Sequence, residues 1–127
     1  MKKMIIDTHI HIWNLEKVRY EWLDGDTSIL NRTYMFEELL PEMDASPVAS
    51  GILVQAANNL EDTDLMLNTA RHHREIAGIV GWLPLKDPDS VQALLKERFL
   101  QEPYFKGVRH LIHNESDPKW LLQPEVI

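Results

Sequence analysis

Short apolar runs alternate with amphipathic stretches along the whole chain. The runs cover residues 4–13, 51–57, 78–84 and 106–113. Nearly continuous apolar runs of this length are typical of parallel strands that are covered by helices. The last three runs begin 27 and 28 residues apart, which suits a repeated strand–helix unit. This alternation predicts a parallel α/β sheet with right-handed crossover connections.

Three stretches between the runs have the periodicity of amphipathic helices. Their apolar faces consist of Phe36, Leu39, Leu40 and Met43 in the first, of Leu65, Met66, Ala70 and His73 in the second, and of Val91, Leu94, Leu95 and Phe99 in the third. Pro41 either opens the first helix or kinks it. Asp62 or Thr63 is predicted to cap the second helix, and Asp87, followed by Pro88, the third.

Four such units amount to half of a (β/α)8 TIM barrel, whose full length is about 250 residues. Residues 123–127 look like the first turn of a fourth helix, with Pro124 at its first position. Residues 1–127 are therefore expected to be one domain, the N-terminal half of such a barrel, truncated in its fourth helix. A half-barrel leaves its first and fourth strands as open edges, and the unpaired backbone N–H and C=O groups of an open edge favour pairing with another strand. The chain is thus expected to form a homo-oligomer or to pair with a missing C-terminal half.

A long stretch without periodicity, residues 15–33, follows the first run. It carries Tyr20, Trp22 and the turn signal Asp24-Gly25-Asp26. Loops of this length are uncommon unless they work as lids or binding loops. The two aromatic side chains are expected either to form walls of a substrate site or to fold down as a plug over the core. Trp82, in the third run, has a similar pair of interpretations: a pocket wall or part of the core.

Composition and charge narrow the classes of function. The net charge is −7 and basic residues occur only in short pairs, so neither nucleic acid nor a membrane surface is an expected partner. Charges interrupt every apolar run well before the ~20 residues that a membrane span needs. The chain has no cysteine, which excludes disulfides and thiolate ligands and fits a cytoplasmic protein. No hydrophobic segment typical of a signal peptide follows Lys2 and Lys3.

The first apolar run ends in a His-x-His pair. Because strand side chains alternate between faces, one face is predicted to carry Ile6, Thr8, Ile10 and Ile12, and the other Asp7, His9, His11 and Trp13. The two histidines would stand about 7 Å apart at the backbone, which lets both rings reach one metal ion or water. They lie at the C-terminal end of the first strand, where barrel active sites form. The alternative is that both imidazole rings form hydrogen bonds with backbone carbonyls and have no role in a site.

Further polar residues lie at the ends of other predicted strands. Gln55, the polar exception in its run, is expected either to donate a hydrogen bond to a substrate or to cap the following loop. Arg109 is expected to hold a carboxylate or a developing oxyanion, or else to pair with an acidic residue. Alternation places His113 on the face of Arg109, and His110 on the opposite face.

Six sequence blocks, in this order, resemble one known family. The blocks are Ile6-Asp7-Thr8-His9-Ile10-His11-Ile12-Trp13, Tyr20-x-Trp22-Leu23, Val54-Gln55-Ala56-Ala57, Gly78-Ile79-Val80-Gly81-Trp82-Leu83, Gly107-Val108-Arg109-His110 and Asp117-Pro118-x-Trp120-Leu121-Leu122. They resemble the amidohydrolase superfamily, specifically its amidohydrolase family 2 branch. They are similar to sugar lactonases of that branch, the rhamnono- and fucono-lactonases.

This resemblance implies a hydrolytic site at the C-terminal ends of the barrel strands. His9 and His11 match the first-strand metal-ligand pair, which in the family holds a divalent ion, often zinc. Some similar lactonases work without a metal, and the histidines then hold substrate or water. The implied reaction opens a sugar-type lactone by attack of an activated water. The expected catalytic residues are His9, His11 and Arg109, and the expected contacts to a lactone or sugar-acid substrate are Gln55, Trp82, His113 and Trp22.

The chain departs from the family pattern in its length. The family's further histidines, on the fifth and sixth strands, and its general-base aspartate, on the eighth, would lie beyond Ile127. A catalytic zinc usually has three protein ligands and a water, so this chain alone is expected to hold an incomplete site. Two alternatives stay open. One is a metal-dependent nuclease of the same superfamily, against which the acidic surface argues, and the other is a non-catalytic half-barrel that binds a ligand or a partner chain.

Overall fold

The computed structural model describes residues 4–127, so Lys2 and Lys3, on which the signal-peptide expectation rests, lie outside the described part. Its centre is a four-stranded sheet in which all neighbouring strands are parallel and the strand order follows the sequence. The strands are β1 (Ile5–Ile10), β2 (Val48–Val54), β3 (Ile76–Gly81) and β4 (Phe105–Val108). The helices are α1 (Leu40–Asp44), α2 (Leu60–His72) and α3 (Pro88–Leu94). The predicted alternation of parallel strands and helices is confirmed.

The first and fourth strands end earlier than their apolar runs because other groups take up the backbone hydrogen bonds. After β1, Trp13 forms an antiparallel bridge with Tyr34 of the long loop, with both N···O distances at 2.9 Å. After β4, the backbone N–H and carbonyl of Leu111 pair with the side chain of Asn58, again at 2.9 Å each. The predictions that these strands continue to residues 13 and 113 are therefore wrong.

The first and third helices each have a proline in their first turn, where the missing backbone N–H is not needed. Pro41 lies in the first turn of α1, behind a 3-10 turn at Phe36–Glu38, so it opens the helix rather than kinking it. Asp87 caps α3 as predicted, because its side chain accepts a hydrogen bond from Ser90 N at 3.1 Å. A π-helical turn at Leu95–Phe99 follows α3 directly.

The second helix begins earlier than predicted. Asn59 caps α2, with its side-chain oxygen 2.9 Å from the backbone nitrogen of Asp62. The prediction that Asp62 or Thr63 is the cap is wrong, because both lie within the helix and turn their side chains inward. Thr63 Oγ1 donates to the carbonyl of Trp82 at 3.0 Å and accepts from the N–H of that residue at 2.8 Å. This side chain therefore joins α2 to the end of β3.

The hydrophobic core lies between the sheet and the helices on one of its faces. Leu53 and Ile79 pair across β2 and β3, and both are fully buried. From the helix side, α2 buries the three apolar residues that the periodicity predicted, Leu65, Met66 and Ala70. The carboxyl ends of the strands are thus held in fixed positions relative to one another.

The first run keeps its predicted alternation at its C-terminal end. Ile10 and Ile12 are buried in the core, whereas His9 and His11 are exposed. At the start of the run, Ile6 lies on the face of Ile10 and is nevertheless 48% exposed. This exposure follows from the position of β1 at the edge of the sheet.

The last residues form turns rather than the start of a regular helix. A 3-10 turn covers Trp120–Leu122. The backbone nitrogens of Val126 and Ile127 then both donate to the carbonyl of Gln123, at 2.9 Å and 3.2 Å. The predicted helical turn is present as this single turn, with Pro124 inside it. Within residues 4–127, no helix is long and apolar enough to cross a membrane.

Candidate functional site

A groove of about 360 Å³ lies beside the carboxyl ends of β1, β2 and β4. Because these strands are parallel, residues that follow each of them meet at one end of the sheet. The groove is lined by His11, Trp13, Trp22, Leu30, Gln55, Ala56, Arg109, Leu111 and His113. Five of these residues were singled out by the sequence: His11, Trp22, Gln55, Arg109 and His113. The fold therefore gathers most of the predicted site residues in one place.

His11 lines this groove, whereas the predicted site residue His9 lies outside it, in an adjoining depression that His11 also lines. Their Nε2 atoms are 3.0 Å apart, and their rings meet edge to face with centroids 4.7 Å apart. His11 Nδ1 lies 2.9 Å from the carbonyl oxygen of Val54 at the end of β2. A carbonyl only accepts hydrogen bonds, so the neutral His11 ring carries its proton on Nδ1 and leaves Nε2 as an acceptor. The His9 Nε2–H then donates to it.

The surroundings of His11 favour its neutral form. Although the residue as a whole is exposed, partial burial of its ring lowers the pKa of His11, and the charges of His9 and Arg109 lower it further, while the hydrogen bond to Val54 opposes these effects. A neutral imidazole whose proton is fixed on Nδ1 presents the Nε2 lone pair that metal binding or water activation requires.

The histidine pair fits two neighbouring positions of a zinc ion. Zinc binds histidine nitrogens at 2.0–2.1 Å in tetrahedral geometry, which places two such nitrogens about 3.3 Å apart. The observed separation of 3.0 Å between the Nε2 atoms differs from this by a few tenths of an ångström. Among residues 4–127, no group of three or more histidine, aspartate or glutamate side chains is placed to hold a metal ion. Among the described residues, His9 and His11 therefore have a spacing that suits two ligands of one metal ion, and they have no third ligand beside them.

Arg109 presents a positive charge to the groove that no acidic side chain of residues 4–127 pairs with. Its guanidinium donates to the carbonyl of Gln55 at 3.2 Å and to the side-chain oxygen of that residue at 3.4 Å. The ion pairs within the described part of the chain all involve other basic residues, so the alternative of an acidic partner for Arg109 is not formed there. A guanidinium bound only to neutral oxygens keeps charge and donors for an anion.

Gln55 is fully buried and acts on the groove indirectly. Its Nε2 donates to the carbonyl of Ala57 at 3.2 Å and to Oδ1 of Asn58 at 3.0 Å. The side chain thus caps the loop after β2, which is the second of the two alternatives that the sequence left open. Its oxygen accepts from Arg109, so Gln55 helps to place the guanidinium.

Of the two aromatic residues of the long loop, one is buried in the core and the other lines the groove. Tyr20 is a plug: it is 3% exposed, and its hydroxyl donates to Asp62 Oδ1 at 3.3 Å. Trp22 is a wall of the groove, with its Nε1–H bonded to the carbonyl of Ala56 at 2.8 Å. The Trp22 ring also meets Trp13 edge to face, with ring centroids 5.4 Å apart.

Trp82 lies outside this groove. Its Nε1–H donates to Nδ1 of His110 at 2.9 Å, and the His110 ring stacks on Trp120 with centroids 3.8 Å apart. Nε2 of His110 lies 2.8 Å from a carboxylate oxygen of Glu115. Trp82 and His110 together line a neighbouring depression of about 450 Å³ that shares Trp22 with the groove.

Four residues of the groove were not proposed as site residues from the sequence. Trp13 had a signal, since alternation placed it on the strand face of the two histidines. Leu30, Ala56 and Leu111 are ordinary loop residues without any distinguishing pattern. Their place in the groove depends on where the long loop and the loop after β4 fold, which local sequence does not specify.

Comparison with known proteins agrees with this geometry. The model of a family described as amidohydrolase matches residues 6–125. L-fucono-1,5-lactonase from Burkholderia multivorans is 30% identical to the chain over 117 residues, which are 92% of this chain and 38% of that protein. L-fucono-1,5-lactonase from Burkholderia ambifaria is 27% identical over 119 residues, or 94% of this chain and 40% of that protein.

A solved structure is similar over nearly the whole chain. The crystal structure of an amidohydrolase from Burkholderia multivorans with bound zinc superimposes with a TM-score of 0.81 at 27% identity. The match covers 98% of this chain and 43% of that one. The chain therefore spans about 40% of the length of the relatives that it matches.

Proposed function

The chain belongs to the amidohydrolase family, and we propose from this that it is part of a hydrolase that opens a sugar-derived lactone with an activated water. The observation that carries the proposal is the pair of Nε2 atoms of His9 and His11, 3.0 Å apart beside a groove that also holds Arg109. The two relatives named L-fucono-1,5-lactonase support a lactone as the substrate. The zinc bound in the similar structure supports a divalent metal as the cofactor.

The histidine pair holds the reacting water in this proposal. His11 is fixed in orientation by its hydrogen bond to Val54, and partial desolvation of its ring lowers its pKa, so its Nε2 is an acceptor beside Nε2 of His9. His9 becomes a second acceptor when its proton moves from Nε2 to Nδ1. A divalent ion held by both would lower the pKa of a bound water and polarise the lactone carbonyl.

Arg109 stabilises the negative charge that lactone opening creates. Attack of water on the carbonyl carbon produces an oxyanion, and cleavage of the ring ester bond leaves a carboxylate. A guanidinium offers paired donors in the planar arrangement that a carboxylate accepts. Because the side-chain partners of Arg109 within residues 4–127 are neutral oxygens of Gln55, an anion in the groove gains this charge without displacing an acidic side chain of that part.

The aromatic side chains suit the apolar faces of a sugar ring. Trp13 and Trp22 stand edge to face along the groove, and both have their indole N–H groups bonded to backbone carbonyls, at 3.2 Å and 2.8 Å. With the N–H groups occupied, the rings offer mainly apolar surface. His113, which also lines the groove, is the remaining polar side chain for contact with ring hydroxyls.

The described residues supply one part of the site, so the proposal includes a second part. We place residues 1–127 as the N-terminal half of a barrel domain, and we assign the missing ligands and proton acceptor to another segment or another chain. The basis is that no group of three potential ligands forms within residues 4–127, while zinc catalysis usually uses three. The 127-residue chain alone is then expected to bind metal weakly and to turn over little lactone.

Metal content and lactone opening test this proposal. The chain is purified with zinc present, its bound zinc is measured, and proton release from L-fucono-1,5-lactone is followed for the chain alone and together with the proposed second part of the site. Substitution His9→Ala is expected to reduce bound zinc by about tenfold or more, because loss of even an outer partner of a ligand weakens metal binding by about this factor. The control is His72→Ala, because His72 lies exposed on α2 and its ring bonds only the carbonyl of Asn68.

Each outcome of this experiment decides a separate point. Equal zinc in the His9→Ala and His72→Ala variants would contradict a metal role for the pair. Full activity of the 127-residue chain would contradict the incomplete site. Failure of the chain and its proposed second part together to open the lactone, with zinc bound, would exclude this substrate.

A non-catalytic binding module is the second candidate function. It is favoured by the lack of a three-ligand group within residues 4–127. In this case the chain binds a sugar acid such as L-fuconate through Arg109 and opens no lactone, whether or not the proposed second part of the site is present.

A further inference from the structure

Asp62 is a buried carboxylate that the proposed reaction does not use. It lies in the first turn of α2 and is 0% exposed. One of its oxygens, Oδ2, accepts from the N–H groups of Ala56 at 2.8 Å and Ala57 at 3.2 Å. The other oxygen, Oδ1, accepts from the hydroxyl of Tyr20 at 3.3 Å. A buried carboxylate is costly unless donors surround it, and here three donors from two loops do so.

One of the residues bound to Asp62, Ala56, lines the groove, and another, Tyr20, is bonded to the segment that follows β1. Ala56 has its N–H on Asp62 and its carbonyl on the indole N–H of Trp22, so the position of this groove wall depends on the position of Ala56. Tyr20 donates to Asp62 and accepts from the backbone N–H of Asn14 at 3.1 Å. Asn14 follows the histidine strand after three residues, so this second path reaches the end of β1.

The long loop has a further tie to the start of α2. The side-chain nitrogen of Asn59 donates to the carbonyl of Arg19 at 3.0 Å, while its oxygen caps the helix at Asp62 N. The segment that carries Tyr20 and Trp22 is thus bonded to the start of α2 at two points. The bond from Asn59 to Arg19 is neutral and exposed, and the bond from Tyr20 to Asp62 is buried.

We propose that Asp62 is a positioning residue for the groove: through Ala56 and Tyr20 it sets the place of the Trp22 wall relative to the end of β1. The inference rests on the proposed function only in taking the groove as the substrate site. Its physical basis is that a carboxylate accepts at both oxygens, so one side chain holds the loop after β2 and the long loop together.

Substitution at Asp62 separates this role from a general contribution to folding. Asp62→Asn keeps the shape, and its oxygen still accepts from Ala56 and Ala57, while its amide faces the Tyr20 oxygen. Asp62→Ala removes every one of these contacts. Asp64→Asn is the matched control, because Asp64 lies on the same helix and pairs with Arg98 at the exposed surface.

The readout is the indole N–H signal of Trp22 in nuclear magnetic resonance spectra. The chain has four tryptophans, and the loss of one signal in Trp22→Phe identifies the relevant one. In Asp62→Ala we expect the Trp22 signal to shift and its hydrogen exchange to become about tenfold faster, as local opening does. In Asp62→Asn and in Asp64→Asn the signal is expected to stay near its original position.

An unchanged Trp22 signal in a folded Asp62→Ala chain would overturn the proposal, and so would equal shifts of all four indole signals. If Asp62→Ala does not fold, Tyr20→Phe decides, because it removes one hydroxyl only. The Trp22 signal is then expected to shift while that of Trp82, bonded to His110, does not. These spectra need no lactone, so failure of the lactonase proposal and failure of this one are distinguished.

Discussion

The ionisation of Asp62 is opposed by the fold. Burial raises the pKa of Asp62 to about 6, although the N–H groups of Ala56 and Ala57 and the hydroxyl of Tyr20 each lower it. Tyr20 is the titratable group that faces this carboxyl, and burial raises its own pKa, so it stays protonated as Asp62 titrates. The folded state therefore holds the Asp62 proton to higher pH than the unfolded state, in which an aspartate has a pKa near 3.9.

This difference predicts a pH dependence of stability. Because the folded pKa is raised, the contribution of Asp62 is largest below about pH 4 and is lost as the pH rises through about 6. Between about pH 5 and about pH 7.5 the loss amounts to about 1 kcal/mol. Urea unfolding of the wild type and of Asp62→Asn at these two pH values measures it. The wild type is expected to lose stability relative to the variant at the higher pH.

Asp64→Asn again serves as the control for removing a carboxylate from α2. If the stability difference between wild type and Asp62→Asn were the same at both pH values, the raised pKa would be refuted. The same would hold if Asp64→Asn reproduced the pH dependence.

At the residue scale, the sequence predicted the geometry that depends on local periodicity. The convergence of His9 and His11 follows from strand alternation, and the groove position of Arg109 follows from its place after a strand. Gln55 and Asp62 depend on hydrogen bonds to loop residues, and those loops have no periodicity. The sequence therefore left two roles open for Gln55, of which the structure shows the loop cap. For Asp62 it predicted a helix cap, which is wrong.

At the scale of elements, the start of α2 shows why helix ends are hard to place. Asn59, Asp62 and Thr63 are all suitable caps by residue type. Only the structure shows that Asp62 and Thr63 turn inward to other backbone groups, which leaves Asn59 as the cap. Strand ends have the same difficulty, because β4 stops where the Asn58 side chain pairs with Leu111.

The two ends of the Asn59 side chain predict different effects of two substitutions. Asn59→Ala removes the helix cap and the bond to Arg19, and we expect it to lower the free energy of unfolding by about 1–2 kcal/mol. Asn59→Asp keeps an acceptor for Asp62 N and loses only the donor to Arg19. Its loss in urea unfolding is expected to be less than half as large. Equal losses in the two variants would show that the cap is not the main contribution.

At the scale of the whole molecule, the core cluster of residues 4–127 lies on one face of the sheet, and the other face is only partly covered, since Val54 there is 5% exposed whereas Val80 is half-buried. Leu53 and Ile79 point into the core, and their strand neighbours Val54 and Val80 point to the opposite face. Purely parallel sheets normally have both faces covered. Within residues 4–127, β1 and β4 also each lack a second neighbour. The alternation of apolar runs and amphipathic stretches predicted the four strands and their order, because each run corresponds to one strand. The pattern within one strand does not show which residues cover its second face.

The open edges predict association of the chain with another copy. Ile5 and Ile6 lie on the free edge strand β1 and are 41% and 48% exposed, so pairing at this edge would bury apolar side chains as well as backbone groups. Light scattering of the purified 127-residue chain is expected to report a dimer or larger species.

Ile6→Lys places a charge on the edge and is expected to weaken the association about tenfold or more. Ile29→Lys, in the long loop and 81% exposed, adds the same charge away from both edges and is expected to change nothing. A well-folded monomer of the wild-type chain would contradict the prediction, and equal weakening by both lysines would show that net charge, rather than edge pairing, controls the association.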